Sequence, residues 1–210
     1  RPGKWAVMHD GKAGPEFDRL RNLRLSPDGA RCAYAAELGI HSVVVLDGRI
    51  GPEYDEIERG YPLFSSDGRR CVYAARRDRS AWVVVDGRAE GPYDGLALAA
   101  PVFSPDGARL AYVARRGGKW GVVLDGQLGL ACDGIGVRSP VFSPDGRRLA
   151  YAAQLGESWV CVLDGVPSAH FDAVAGLLFS PDSRRFACAA SRGGKDFIVA
   201  HPSADVDVLR

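Results

Sequence analysis

The phrase Ser-Pro-Asp-Gly, or a close variant, recurs at Ser26, Ser65, Ser104, Ser143 and Ser180, with spacings of 39, 39, 39 and 37 residues. A second element, an apolar run ending in Asp-Gly, recurs at Asp10, Asp47, Asp86, Asp125 and Asp164. Eight residues after each of those aspartates comes a third: Asp18, Asp55, Asp94, Asp133 and Asp172. A fixed period of about 40 residues, with strand-like text between turn signals, requires an array of one small β unit. The phase divides a single domain, 1–210, into a half-unit 1–21 and units 22–60, 61–99, 100–138, 139–176 and 177–210. From the third aspartate to the next serine is 8 or 10 residues. A segment that tolerates such a deletion reads as a surface connection.

One unit can be read strand by strand. Pro101–Ser104 is a short apolar strand, a. Pro105-Asp-Gly is a turn, because proline presets φ and glycine accepts positive φ. Strand b starts at Arg109 and strand c at Trp120, where β-branched residues dominate. Asp125-Gly126 is a type I′ hairpin signal, and strand d follows from Leu128 to Asp133. Each unit is therefore a four-stranded antiparallel meander. Strands b and c are apolar on both faces, as in Ser42-Val-Val-Val-Leu, which suits sheets covered by a neighbour on each side. Trp5, Trp82, Trp120 and Trp159 fall at or beside the start of strand c and read as packing between units.

Composition limits function more than it directs it. The 210 residues are 46% apolar and 25% charged, with net charge +1, so no global field draws the chain to nucleic acid or an anionic membrane. No apolar stretch is long enough to span a bilayer. Five cysteines, Cys32, Cys71, Cys132, Cys161 and Cys188, stand mostly in apolar repeat positions and form no Cys-x-x-Cys pair. They read as small buried hydrophobes, which favours a reducing compartment. The chain begins at Arg1 in mid-repeat, Gly3-Lys4-Trp5 matching Gly118-Lys119-Trp120. The expectation is an excerpt of a longer polypeptide, so a missing signal peptide says nothing about secretion.

Phe103-Ser-Pro-Asp-Gly-Ala-Arg-Leu-Ala-Tyr and Phe142-Ser-Pro-Asp-Gly-Arg-Arg-Leu-Ala-Tyr resemble the WD-like propeller repeat of the TolB type, common in bacterial proteins. The resemblance covers nearly the whole chain and implies an all-β propeller of four-stranded blades. It says little about function, since such propellers serve as scaffolds, as periplasmic binding modules and as gates of attached enzymes. It also offers the periplasm as an alternative location. The last copy departs, with His201-Pro202 where the others have Asp-Gly. Five a–b units stand against six c–d units. Either the N-terminal c and d strands complete the blade begun at Leu178, closing a five-bladed ring with residues 197–210 in surplus, or the chain is a fragment of a six-bladed ring. An open fragment would expose an apolar face and self-associate.

The repeated aspartates read as turn residues rather than a cation ring. Arg31, Arg70, Arg109, Arg148 and Arg185 invite pairing with Asp18, Asp55, Asp94, Asp133 and Asp172 or with backbone carbonyls, and the expectation is structural ion pairs linking strands or neighbouring blades. The histidines His9, His41, His170 and His201 share no repeat position, and no nucleophile elbow, zinc-binding helix or phosphate loop occurs. The expectation is no catalytic, cofactor or metal site. Three b–c loops are basic: Arg76, Arg77 and Arg79; Arg115, Arg116 and Lys119; Arg192 and Lys195. They define a candidate face for a protein partner with an acidic segment. Nucleic acid is disfavoured because these loops lack interleaved aromatics. The expected function is a non-catalytic interaction scaffold using the b–c/d–a loop rim. The alternative is an accessory propeller, gating or substrate-binding, of a larger enzyme such as a prolyl-oligopeptidase-like serine peptidase.

Overall fold

The computed structural model describes residues 3–9, 11–97 and 100–202. Every regular element among them is a β-strand. The chain divides into two compact units, Arg1–Asp94 and Gly95–Arg210. The first holds the N-terminal half-unit, with strands Met8–His9 and Lys12–Ala13, and then two blades. The second holds three blades. The all-β, propeller-type blade expected from the repeat is present copy by copy.

Blade 1 runs Arg19–Leu25, Cys32–Leu38, His41–Leu46 and Arg49–Ile50, paired in chain order and antiparallel throughout. Blades 2, 3 and 4 repeat this order, with strand b at Cys71–Arg77, Leu110–Arg116 and Leu149–Leu155, and strand c at Ser80–Val85, Lys119–Leu124 and Ser158–Leu163. The first five residues of strand b are buried in all four blades. That explains their unbroken apolar text: a sheet covered on both faces has no solvent side to alternate with. Within each compact unit, consecutive blades share cores. Ala35 and Val44 of blade 1 meet Tyr73, Ala75 and Val84 of blade 2. Ala111, Val113 and Val122 of blade 3 meet Tyr151, Ala153 and Val162 of blade 4. Each of these valines contributes roughly 1.5–3 kcal/mol on burial. Trp82, Trp120 and Trp159 pack against these clusters, whereas Trp5 is 61% exposed.

Strand a differs from its reading as one short strand. In blades 2, 3 and 4 it is two pieces pairing with the same strand b, Glu56–Ile57 and Leu63–Phe64 in blade 2, with a looped-out stretch between them. In the two copies shorter by two residues it is continuous, Arg19–Leu25 and Ala173–Phe179, and carries a β-bulge instead. The bulge brings Asn22 to φ 52° and Gly176 to φ 63°. The length variation therefore trades a loop for a bulge inside strand a, and either device absorbs the extra residues without shifting the register of the apolar end.

Blade 5 has three strands, Ala173–Phe179, Arg185–Arg192 and Lys195–Pro202. The last pairs with strand b from Arg192↔Lys195 to Arg185↔Pro202. The chain's own residues thus occupy the strand c place, and the N-terminal strands form a sheet of their own. This corrects the first of the two closures, which needs those N-terminal strands in blade 5. The d position of this copy falls in 203–210, outside the described residues.

Candidate functional site

The repeated motif is used up in local structure. In blade 3 the Ser104 hydroxyl donates to Asp106 Oδ1 and accepts the Arg109 amide at 2.9 Å, while the Ala108 amide donates to Asp106 Oδ1 at 3.1 Å. The other four copies make the same bonds. The hydroxyl and the turn amide hold the carboxyls of Asp28, Asp67, Asp145 and Asp182 below the ordinary range. The c–d turns are type I′, with Asp47 at φ 50° and Gly48 at φ 77°, and likewise at Asp86, Asp125 and Asp164. Asp10 lies outside the described residues.

The proposed pairing of the repeated arginines is corrected. Arg31, Arg70, Arg109 and Arg148 donate through Nε to the hairpin aspartates Asp47, Asp86, Asp125 and Asp164 of their own blade, at 2.8–3.1 Å. The other oxygen of each aspartate accepts the first amide of strand b. Arg109 also reaches across to the Arg147 carbonyl of blade 4.

The third aspartates serve the opposite end of the blade. Asp18, Asp55, Asp133 and Asp172 each stand just before strand a and accept a b–c loop amide of the same blade. Asp18 takes Gly39, Asp55 takes Asp78, Asp133 takes Gly156 and Asp172 takes Gly193, at 2.7–2.9 Å. Lys4, and Lys119 of the preceding strand c, add ion pairs to Asp18 and Asp133. Each lysine is the chief cause, with the loop amide next, of a carboxyl held below its ordinary range. The carboxylate thereby pins the b–c hairpin to the strand that enters the blade.

The candidate cations sit on these hairpins, and most have structural partners. Arg76 pairs with Glu58 of its own strand a at 2.6 Å. Arg77 lies 4.4 Å from the Tyr54 ring centroid and donates to the Glu53 carbonyl. Arg115 donates to the Gly118 carbonyl at 3.1 Å and faces Trp120. Arg192 lies over Phe171 at 4.6 Å and donates to the His170 carbonyl. Lys119 is held by Asp133. Arg116 is exposed, as are Arg79, at φ 67°, and Lys195. In three blades the side chains read as a free basic arc therefore also clamp loops and cover aromatic rings. The side chains of His9 and His201 lie outside the described residues. All five cysteines are free and buried. No cluster of three or more His, Cys, Asp or Glu that could hold a metal occurs among the described residues, and no helix there is long and apolar enough to cross a membrane.

Sequence reasoning missed one cluster, on strand a of blade 1. Arg24 pairs with Ala33 at the register position where Leu63, Val102, Val141 and Leu178 stand in the other blades. Setting the five strand a segments in phase would have exposed it; the two-residue length change hid the phase.

No family model matches the chain, and no curated protein does. Solved structures similar to it include TolB from Acinetobacter baumannii, at 16% identity and TM-score 0.41, over 91% of this chain and 54% of that one. The β-propeller domain of the Trilobed protease from Pyrococcus furiosus is similar at 10% identity and TM-score 0.48, over 89% of this chain and 68% of that one. Hydrazine synthase from Kuenenia stuttgartiensis is similar at 17% identity and TM-score 0.38, over 80% and 54%. The chain spans about half the length of the first and third.

Proposed function

We propose that this chain is a non-catalytic binding scaffold that receives a protein partner, through an acidic segment, at the b–c and d–a end of its blades. The observation that carries this reading is the aspartate pin. Asp18, Asp55, Asp133 and Asp172 each fix a b–c hairpin by its backbone amide. The loops that differ most between copies are thus held in place before a partner arrives, which lowers the ordering cost of binding. Conserved turn chemistry on the Ser-Pro-Asp-Gly end, and varied, mostly cationic side chains on the other, divide each blade into a structural and a presenting end.

The test uses exposed side chains of the b–c loops. The 210-residue chain is passed over immobilised poly-L-glutamate at low salt, beside the variant Arg79→Glu, Arg116→Glu, Lys195→Glu. Retention of the parent and its loss in the variant, at unchanged thermal midpoint, is the expected result. Equal elution of the two would sink the reading.

A further inference from the structure

Strand a of blade 1, Arg19–Leu25, is unlike its counterparts. Its register places Arg19 opposite Glu37, Arg21 opposite Ala35 and Arg24 opposite Ala33. The bulge between Arg21 and Arg24 inserts one extra residue, which keeps all three arginines on the same face of the strand. That face is turned to blade 2, since Ala35 packs into the core shared with blade 2. In blades 2 to 5 the first two positions hold Glu56 and Glu58, Gly95 and Ala97, Gly134 and Gly136, and Ala173 and Ala175. The third is aliphatic in all four.

A cleft of about 570 Å³ opens on this face, lined by Arg19, Arg21, Glu37 and Ser42 of blade 1 and by Ile57 and Arg59 of blade 2. That volume is in the range of small-ligand sites. Glu37 is its one carboxylate and is paired with Arg21. Arg19 and Arg59 are exposed and make no ion pair among the described residues. The nearby Glu58 is committed to Arg76. Two guanidinium groups thus face one opening without a counter-charge. The strand also has a free edge: among the described residues it pairs with strand b on one side and with no strand on the other.

We propose that this cleft is a binding site for an extended acidic peptide, its carboxylates held by Arg19 and Arg59 and its backbone running beside the free edge of Arg19–Leu25. The site rests on the scaffold reading and gives it a specific location. A peptide, rather than a compact anion, fits because Arg19 stands on a strand whose backbone has a free edge, with Arg59 beside it in the same cleft. A peptide with an acidic residue at every second position matches both features. Arginine suits the task, since its planar fork donates two parallel bonds to a carboxylate.

The test is fluorescence anisotropy with the labelled peptide Ser-Asp-Val-Asp-Val-Asp-Ser and its Asn-for-Asp counterpart, added to the 210-residue chain. The acidic peptide should bind and the Asn peptide should not. Arg19→Ala with Arg59→Ala should weaken binding about tenfold or more, and Arg19→Lys with Arg59→Lys should restore part of it, with unchanged circular dichroism. Absence of binding, equal binding of the Asn peptide, or indifference to the double variant overturns the site. Displacement by inorganic phosphate at the peptide's own concentration overturns the peptide assignment in favour of a small anion. The variant Arg79→Glu, Arg116→Glu, Lys195→Glu separates the two proposals. If it abolishes peptide binding while the Arg19/Arg59 variant does not, the cleft fails and the rim reading stands. If it leaves poly-L-glutamate retention intact while the cleft binds as described, the rim reading fails and the cleft stands.

Discussion

Arg109 Nε donates to Asp125 Oδ2 at 2.9 Å, and the other oxygen of Asp125 accepts the Leu110 amide at 2.9 Å. One carboxylate therefore ties the a–b turn, the start of strand b and the c–d hairpin of blade 3 into a single corner. Blades 1, 2 and 4 build the same corner. In blade 5 the matching position, sixteen residues beyond Arg185, is His201, whose side chain carries no carboxylate.

Asp125 has three roles, and substitutions separate them. Asn keeps one amide acceptor and tolerates φ 51°, but loses the ion pair. Ala loses both bonds and is strained at that φ. We expect Asp125→Asn to lower stability by about 1 kcal/mol and Asp125→Ala by about 2–3 kcal/mol in urea unfolding. An alanine variant as stable as the parent would show the corner to be decorative.

Within each compact unit, the a–b turns of successive blades stack closely. A Cβ on Gly146, at φ +73°, would meet Asp106 Oδ1 at 3.0 Å and Ser104 Cβ at 3.2 Å. The last copy has Ser183 at that position, at φ 61°, and its hydroxyl accepts the Asp145 amide at 3.0 Å. Gly146→Ala should therefore cost roughly 1–3 kcal/mol. Gly146→Ser should cost less, because its hydroxyl can reach back to the preceding turn as that of Ser183 does. Thermal midpoints ranked in the reverse order would refute the stacking argument.

The corner and the stacking mark where sequence reading stopped. Blade, strand order and hairpin type were legible because each rests on local chemistry: Asp-Gly at positive φ, proline in the turn, β-branched runs in strand c. The partner of Arg109 was not legible. Asp125 and Asp133 are both aspartates at fixed distance from it, and only the fold decides which is near. The aspartate pin on the b–c hairpin was hidden for the same reason, since an amide acceptor leaves no mark in the donor's side chain. The loop-or-bulge exchange in strand a escaped because both forms end on an apolar residue directly before the serine.

Alkali should destabilise the protein through its buried thiols. Burial pushes Cys71 up to about 12, from an ordinary thiol value of about 8.5. In the folded state the thiol keeps its proton over a range where the unfolded chain has released it. Stability is then full below about pH 8.5 and falls as pH rises toward 12, by about 1.4 kcal/mol per pH unit for one such group. Tyr61, also pushed up to about 12 by burial, extends the decline. Urea midpoints measured from pH 7 to 11 should follow that curve, and Cys71→Val should flatten it. A curve unchanged by Cys71→Val would assign the alkaline loss elsewhere.

The pinning of the b–c hairpins predicts a local effect with little global one. Asp133 Oδ2 accepts the Gly156 amide at 2.9 Å, and Oδ1 is held by Lys119. Removing the carboxylate frees one amide in the hairpin between Leu149–Leu155 and Ser158–Leu163, while the buried half of both strands keeps its packing. In Asp133→Ala, hydrogen exchange at Gly156 should accelerate about tenfold. Amides of Ala150 to Ala153 should exchange as before. Asp133→Asn retains an acceptor oxygen and should fall between the two. Acceleration spread evenly over the whole blade would mean that Asp133 holds the sheet together, and the hairpins would then lose their claim to be rigid presenting loops. Protection unchanged at Gly156 would mean that the hairpin keeps its shape without the carboxylate, and the rim reading would lose the observation it stands on.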